Sequence, residues 1–481
     1  MPGSELRSFA DLEREQLAAL VPELLLCGHL IDRAGMPHAI AALGREGMTA
    51  AAIDEWMAAS PVYTARMQRA LRFEGGGVET IFKGMQLDIG APPQFMDFRY
   101  RVDDRDTGEF WLDHCGALLD VEPMGEDYVV AMCHDIEDPT FDATAIATDP
   151  RAQVRPIHRP PREPSDRHPH CAWTVVIRPE HEPLPIPEPA LRMGATRGAT
   201  VELSPIDPTD DGRADYAGPL LDDLRFGDWS RSALVRIAEE VCLQGHLLAL
   251  GFRWAIDARV ASADDALAIS RRQLAGIAGL AAERLDHLLH PAVRAGAARS
   301  AFSAPGDPGA ASASGGPAAA SGPGEPGAAS ASRGPGPASA SGDSAAAFGN
   351  EEPADPLTRV EAVLAVHPLL HPVAYTGVER PADDRVLIRL PRTSPAVADG
   401  GWLSLVDADH LDPLHALVRG VDPHLAVAVV DDRPDSLLLE VVVHDEPAPE
   451  SGDVALTRFS GGATFAFADR GTPVEIGPPR G

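Results

Sequence analysis

The chain has 481 residues, 44% of them apolar, and a formal net charge of −31 at pH 7. Such a length exceeds what one hydrophobic core organises and points to two or three domains with ample material for burial. The negative field, with no Lys/Arg-rich run to overcome it, excludes nucleic acid and anionic lipid surfaces as partners, and no stretch of 18 apolar residues is present to span a membrane.

Lys83 is the only lysine, whereas Ala, Arg, Gly and Pro are heavily used; this is GC-rich coding bias and carries no functional information. The opening "MPGSELRSFADLEREQ" puts acids where a secretory leader has a basic start and an apolar centre, so the expected location is cytoplasmic. Cys27, Cys115, Cys133, Cys171 and Cys242 are an odd number spread over a long chain. That suits reduced thiols or metal ligands better than a disulfide scaffold.

Residues 9–45 carry apolar positions at helical spacing through "LAALVPELLLCGHLI", with Pro22 an expected kink. Thr49 and Ser60 read as caps of two further helices, Pro61 taking a first-turn position. After Gly75-Gly76-Gly77, "VETIFKGMQLDI" predicts a short helix. The period then changes: "QFMDFRYRV" and "EFWLDH", joined by "DDRDTG", predict a β-hairpin. "TFDATAIAT" predicts a helix, and "AQVRPIH" and "CAWTVVIRP" two more strands. Residues 181–230 are Pro-rich and irregular and read as a connecting segment.

From residue 231 the order repeats. "LQGHLLALGFRWAI" (243–256) matches "LCGHLIDRAGMPHAI" (26–40), and the long helix "ADDALAISRRQLAGIAGLAAERLDHLL" follows. "LTRVEAVLAVHPLL" stands where "VETIFKGMQ" stood, "DRVLIRLP" where "FMDFRYRV" stood and "GWLSL" where "FWLDH" stood. Two Asp-Pro pairs bracket a helix in each half, Asp138-Pro139 with Asp149-Pro150 and Asp412-Pro413 with Asp422-Pro423, and "LAVAVV" and "SLLLEVVV" complete the second set. The expected fold is α+β: a tandem duplication of a domain with helices on an antiparallel sheet, forming a pseudo-dimer within the chain. The expected boundaries are a small-molecule domain at 1–180, the connecting segment at 181–230, the helical start of a second copy at 231–302, an insert at 303–352 and its sheet at 353–481. The insert is nearly all Ala, Ser, Gly and Pro. It cannot bury enough apolar surface to offset its ordering entropy, so it is expected to be disordered.

Chemistry-bearing residues concentrate in the first copy. Trp111 and Asp138 are separated by a stretch holding Cys115, Cys133, His134 and Asp135, whereas Asp412 follows Trp402 by only ten residues. The second copy is therefore expected to be degenerate. Cys115, Cys133-His134 and His170-Cys171 are expected to converge at one sheet edge. Three readings remain open there: small buried apolar residues, a zinc site of Cys115, Cys133, Cys171 and His170, or a catalytic thiol at Cys133 activated by His134 or a helix N-terminus, with Asp135 moving a proton. Arg155, His158, Arg159 and Arg162 form a cationic cluster suited to a carboxylate substrate, although loop arginines often only face solvent. His29 and His246 occupy matching places in both copies, which argues for a shared packing or interface role instead of catalysis. No nucleophile elbow, phosphate-cradling glycine loop, His-Glu-x-x-His or dinucleotide fingerprint occurs.

The order Cys115, about eighteen residues, Cys133 with Asp135 close behind, a short helix, a strand bearing Arg155 and then Cys171 opening a final strand resembles the L-2-amino-thiazoline-4-carboxylate hydrolase-like family. It is also similar to the 4-vinyl-reductase-type ligand-binding domains. The resemblance, confined to the first copy, implies helices packed on an antiparallel sheet around a small-molecule pocket. It implies either hydrolysis of a cyclic C=N or amide-like bond or small-ligand binding with zinc held by cysteines. Cys115, Cys133 and Cys171 would be site residues, with Asp135 beside them. Catalytic roles would fall to Cys133, His134 and Asp135, and substrate contacts to Cys115, Arg155 and His158.

Overall fold

The structure, a computed structural model, describes residues 8–221, 223–291, 355–460 and 472–473. Both copies have the architecture expected. In the first, α1 (Arg14–Ala70) and α2 (Val78–Met85) precede β1 (Met96–Val102) and β2 (Thr107–Cys115). The short helices α3 (Gly116–Val121) and α4 (Glu126–Val130) and a π-helical turn (Ala131–Ile136) lead into α5 (Glu137–Ala145), followed by β3 (Ala152–His158) and β4 (Cys171–Ile177). After α6 (Glu188–Gly194), α7 (Arg197–Thr200) and the two-residue β5 (Asp223–Leu224), the second copy begins with α8 (Arg231–Asp257) and α9 (Ala263–Leu289). It continues through α10 (Pro356–Leu364), β6 (Gly377–Ala382), β7 (Arg385–Pro391), α11 (Pro395–Ala398) and α12 (Asp412–Val421) to β8 (Leu425–Asp432), β9 (Ser436–Val443) and α13 (Gly452–Thr457). The two four-stranded antiparallel sheets have the same order, β1-β2-β4-β3 and β6-β7-β9-β8. The central strands β4 and β9 alternate buried and half-exposed residues, Cys171, Trp173, Val175 and Ile177 of β4 turning inward, as a sheet covered on one face requires.

Several local expectations are corrected. Thr49 and Ser60 lie inside α1, not at caps; the Thr49 hydroxyl donates back to the Arg45 carbonyl at 3.0 Å. Pro22, Pro37 and Pro61 are all accommodated within the run. The break falls at Gly44, whose φ of +70° suits a residue without Cβ. It divides α1 into the counterparts of α8 and α9. In the second sheet "DRVLIRLP" is the second strand, not the first, and "GWLSL" contains the 3-10 turn Trp402–Leu405 in place of a strand. Corrected this way, the connection from second strand to helix is nearly equal in the two copies, residues 116–136 and 392–411. The segment bearing Cys133 is thus different in the second copy, not missing. The Ala/Ser/Gly/Pro insert lies outside the described residues.

The copies pack through α1 and α8, which are buried almost all round, the pattern of a helix with partners on every side. They cross at the matching Gly28 and Gly245: a Cβ on Gly245 would lie 4.0 Å from the Gly28 Cα and 2.9 Å from the Ile31 side chain. Two buried ion pairs bridge the copies reciprocally. Glu23 of α1 pairs with Arg284 of α9, and Glu240 of α8 pairs with Arg66 of α1 at 3.0 Å. In each, a carboxylate on the first helix of one copy meets an arginine on the second helix of the other.

Each copy also sends an arm to its neighbour. The Gly198 N–H donates to Asp399 Oδ2 at 2.7 Å, and the Ser460 hydroxyl donates to Asp120 Oδ2 at 2.6 Å. Both aspartates lie shortly after the second strand of the copy they belong to. The 181–230 segment thus reaches the second copy at Gly198 while its 216–221 stretch stays bonded to the first, and the stretch after β9 reaches the first copy at Ser460.

Replacing Arg284 by Leu strands the Glu23 carboxylate, which has no exposure. Urea unfolding is expected to show a loss of about 3–5 kcal/mol. The double variant Glu23→Leu/Arg284→Leu, which strands nothing, is expected to recover most of it; equal losses in both would refute the pairing as a desolvated one.

Candidate functional site

Beneath the first sheet, α1, α2, α5 and the π turn line a half-open cavity of about 110 Å³. That is somewhat below the roughly 150 Å³ of an apolar cavity known to admit benzene, so it suits a molecule of about five heavy atoms or several waters. Its walls are soft and apolar: Met36, Met48, Met85, Met96 and Met132 with Trp56, Phe98 and Phe141. Thioethers fill irregular space and adapt to aromatic partners.

Into this lining α1 places His29, Asp32 and Arg33 on one turn, with Tyr63 further along; the segment after α2 adds Asp88, and α5 adds Glu137 at its first residue. Asp32 pairs with Arg33 at 2.6 Å and accepts from Trp56 Nε1 at 3.3 Å. Asp88 accepts from the Tyr63 hydroxyl at 2.9 Å and from the Gly90 N–H at 2.7 Å. Burial nonetheless holds its carboxyl up at about 6. Glu137 is pushed further, to about 8, by desolvation that Arg159 and Arg33 only partly offset. Its Oε2 is buried with no hydrogen-bond partner among the described residues, and so is Nε2 of His29. The His29 ring, with Nδ1 3.2 Å from the Ile89 carbonyl, is kept neutral: burial and Arg33 lower it to about 3. Beside the cavity, Glu55 is fully buried with both oxygens unpartnered, and desolvation raises it well above the usual carboxyl range.

The three cysteines gather next to this site. Cys115 closes β2 and caps α3, its sulfur accepting from the Leu118 N–H at 3.4 Å; Cys133 lies in the π turn, and Cys171 opens β4. Cys133 feels the charge of both other thiols, and all three feel Glu137. Burial works against the activation expected for Cys133. Burial pushes Cys115 up to about 12 and raises Cys133 and Cys171 well above the ordinary thiol value. Cys133 is not ahead of a helix but inside continuous helix, so no helix N-terminus faces it. His134 turns away, its Nε2 2.7 Å from the Pro160 carbonyl, and Asp135 is exposed. Arg155 is half exposed and pairs with Asp142 at 2.9 Å; Arg159 pairs with Asp138 and Arg162 with Glu122. Neither Arg155 nor His158 reaches the cavity lining. The His170 ring stands with His168 and His114, at 5.1 and 6.1 Å between centroids, and burial lowers it to about 4. Among the described residues, no three His, Cys, Asp or Glu side chains are grouped to hold a metal ion.

Asp32, Arg33 and Asp88 escaped sequence reasoning, although the repeat held a signal. With Gly28-His29-Leu30 opposite Gly245-His246-Leu247, Asp32 and Arg33 fall opposite Ala249 and Leu250. With Asp138-Pro139 opposite Asp412-Pro413, Glu137 falls opposite Leu411. The turn after α10, residues 365–376, has no acid to match Asp88. His246 is boxed by Tyr375 and Trp402 and bonded to the His371 carbonyl at 2.9 Å. Comparison with protein-family models, curated proteins and solved structures finds no match to the chain. Among the described residues, no helix is long and apolar enough to cross a membrane.

Glu137 is ionised in the unfolded chain above its ordinary value of 4.5, yet keeps its proton in the fold until about 8. The native state therefore holds the extra proton in that window, and stability falls as pH rises through it. Asp88, at about 6, acts in the same direction over the lower part. Glu137→Gln removes the group with the wider window, so the drop in Tm between pH 5 and pH 8.5 should shrink by about 2 °C or more. An unchanged drop in calorimetry would mean that Glu137 is solvated.

Proposed function

We propose that the first copy is a small-molecule-binding domain whose pocket takes a compact, mainly apolar ligand through a basic nitrogen. The observation that carries this reading is that the cavity's charged residues, Asp32, Arg33, Asp88 and Glu137, belong to one copy only. A fold requirement would have kept them in both. Arg33 is already paired with Asp32, and the other ionisable groups facing the space are acids or a neutral imidazole. A carboxylate or phosphate would have to compete with Asp32 for Arg33, although its Nε is buried without a hydrogen-bond partner among the described residues, whereas an ammonium or protonated ring nitrogen would find two carboxyl groups, Asp88 and Glu137.

A hydrolytic role is a second reading, in line with the resemblance to amino-thiazoline-carboxylate hydrolase-like proteins. The observation in its favour is that Glu137, at about 8, and Asp88, at about 6, hold opposite protonation states near neutral pH. Such a pair can divide acid from base. Water would add across a C=N bond, its proton passing to Asp88 while Glu137 protonates the nitrogen. The thiols, being neutral and buried, would line the site and not attack.

Three five-membered-ring probes distinguish the classes by calorimetry at pH 7: pyrrolidinium, cyclopentanol and cyclopentanecarboxylate. Pyrrolidinium is expected to bind with a Kd of about 1 mM, reasonable for so few atoms, and to weaken at least tenfold in Asp88→Asn/Glu137→Gln. Tighter binding of the carboxylate, or full retention by the double variant, would overturn the ligand class. Ring opening of 2-aminothiazoline that is lost in Glu137→Gln would establish the hydrolytic role.

A further inference from the structure

The cavity's wall includes α3, a six-residue helix that carries Ala117 into the lining. So short a helix has no stability of its own, and it is held at both ends. At its start the Cys115 sulfur caps it, and Gly116 packs on Phe95 so tightly that a Cβ there would lie 2.0 Å from the ring. Near its end, Asp120 is held by the Ser460 hydroxyl of the second copy's arm. That arm is firmly based. Val454 of α13 meets Gly279, and Thr457 meets Gly276, where a Cβ would come within 2.5 and 2.4 Å of them. Arg458 binds Glu283 and Glu450, each at 2.6 Å. Arg33, which lines the cavity, lies within electrostatic reach of both Asp120 and Cys115. From these contacts we infer that the first copy's pocket is completed by the second copy: Ser460 is a positioning residue that pins α3 closed over the cavity. The inference rests on the pocket reading above, but its test does not depend on finding a ligand.

The reciprocal bond from Gly198 to Asp399 supplies an internal control, since it ties an aspartate at the matching place, through a backbone N–H instead of a hydroxyl, in the copy whose cavity acids are absent. The rate of N-ethylmaleimide addition to Cys115, read by peptide mass spectrometry on the full chain at fixed pH, reports how often α3 lifts from its seat. Ser460→Ala should speed labelling of Cys115 about tenfold through loss of a charge-assisted hydrogen bond. Ser460→Thr, which keeps the hydroxyl, should restore the slow rate, and Asp399→Ala should leave it slow. A Cys115 rate in Ser460→Ala equal to that of the unmodified chain overturns the inference, as does equal acceleration in Asp399→Ala, which would report general loosening. Pyrrolidinium binding in the unmodified chain tests the pocket separately, so failure of that reading is distinguishable from failure of this one.

Discussion

The reciprocal pairs Glu23–Arg284 and Glu240–Arg66 are the constraint on which the rest of the molecule depends. A charge taken out of water must find its partner, and here each partner is supplied by the other copy. A one-residue slip of α1 against the second copy would part Glu23 from Arg284 and Arg66 from Glu240, leaving Glu240 only Arg236 of its own helix, so the pairs specify register more than they add stability. The glycines at the crossing then allow the helices close enough for those side chains to meet. Once the register is fixed, the positions of both sheets and both arms follow, because every later element is built outward from α1, α8 and α9.

Two identical halves would have two identical interiors, and the asymmetry is therefore informative. Burying Asp32, Arg33, Asp88 and Glu137 against methionine and aromatic side chains costs free energy that the second copy avoids with Ala249, Leu250 and Leu411 in comparable places. The second copy shows that this architecture closes well with apolar residues, its histidine packed between Tyr375 and Trp402. The first copy keeps a cost that packing does not explain. Positions that break the local rules of burial while the scaffold permits compliance are where function is to be sought.

The architecture was largely legible in the sequence because its signals are periodic and local. Period-two strands, the Asp-Pro brackets and the repeated Gly-His-Leu each survive without tertiary context. What misled was length: "GWLSL" took the register of a strand because Trp402 imitates Trp111, and the displaced alignment created an apparent deletion around Cys133. Thr49 and Ser60 imitated caps because a hydroxyl inside a buried helix can be satisfied by the carbonyl one turn back. The site was legible only in part. The convergence of Cys115, Cys133 and Cys171 could be anticipated from the strand order, but the state of those thiols could not. Cysteine beside histidine suggests activation, and only coordinates reveal that His134 serves the Pro160 carbonyl. Asp32 and Arg33 look like ordinary charges on an amphipathic helix until both faces of that helix are seen to be buried.

Three thiols around Glu137 make physical sense without being reactive. A carboxyl group retains its proton when its surroundings solvate an anion poorly, and a thiol is a weak donor that helps a carboxylate far less than a hydroxyl would. Cysteine is also small enough to let the π turn, β2 and β4 close on one another. The sulfur atoms that first attract attention therefore belong to a poorly solvating wall beside Glu137, whose carboxyl group burial holds up at about 8.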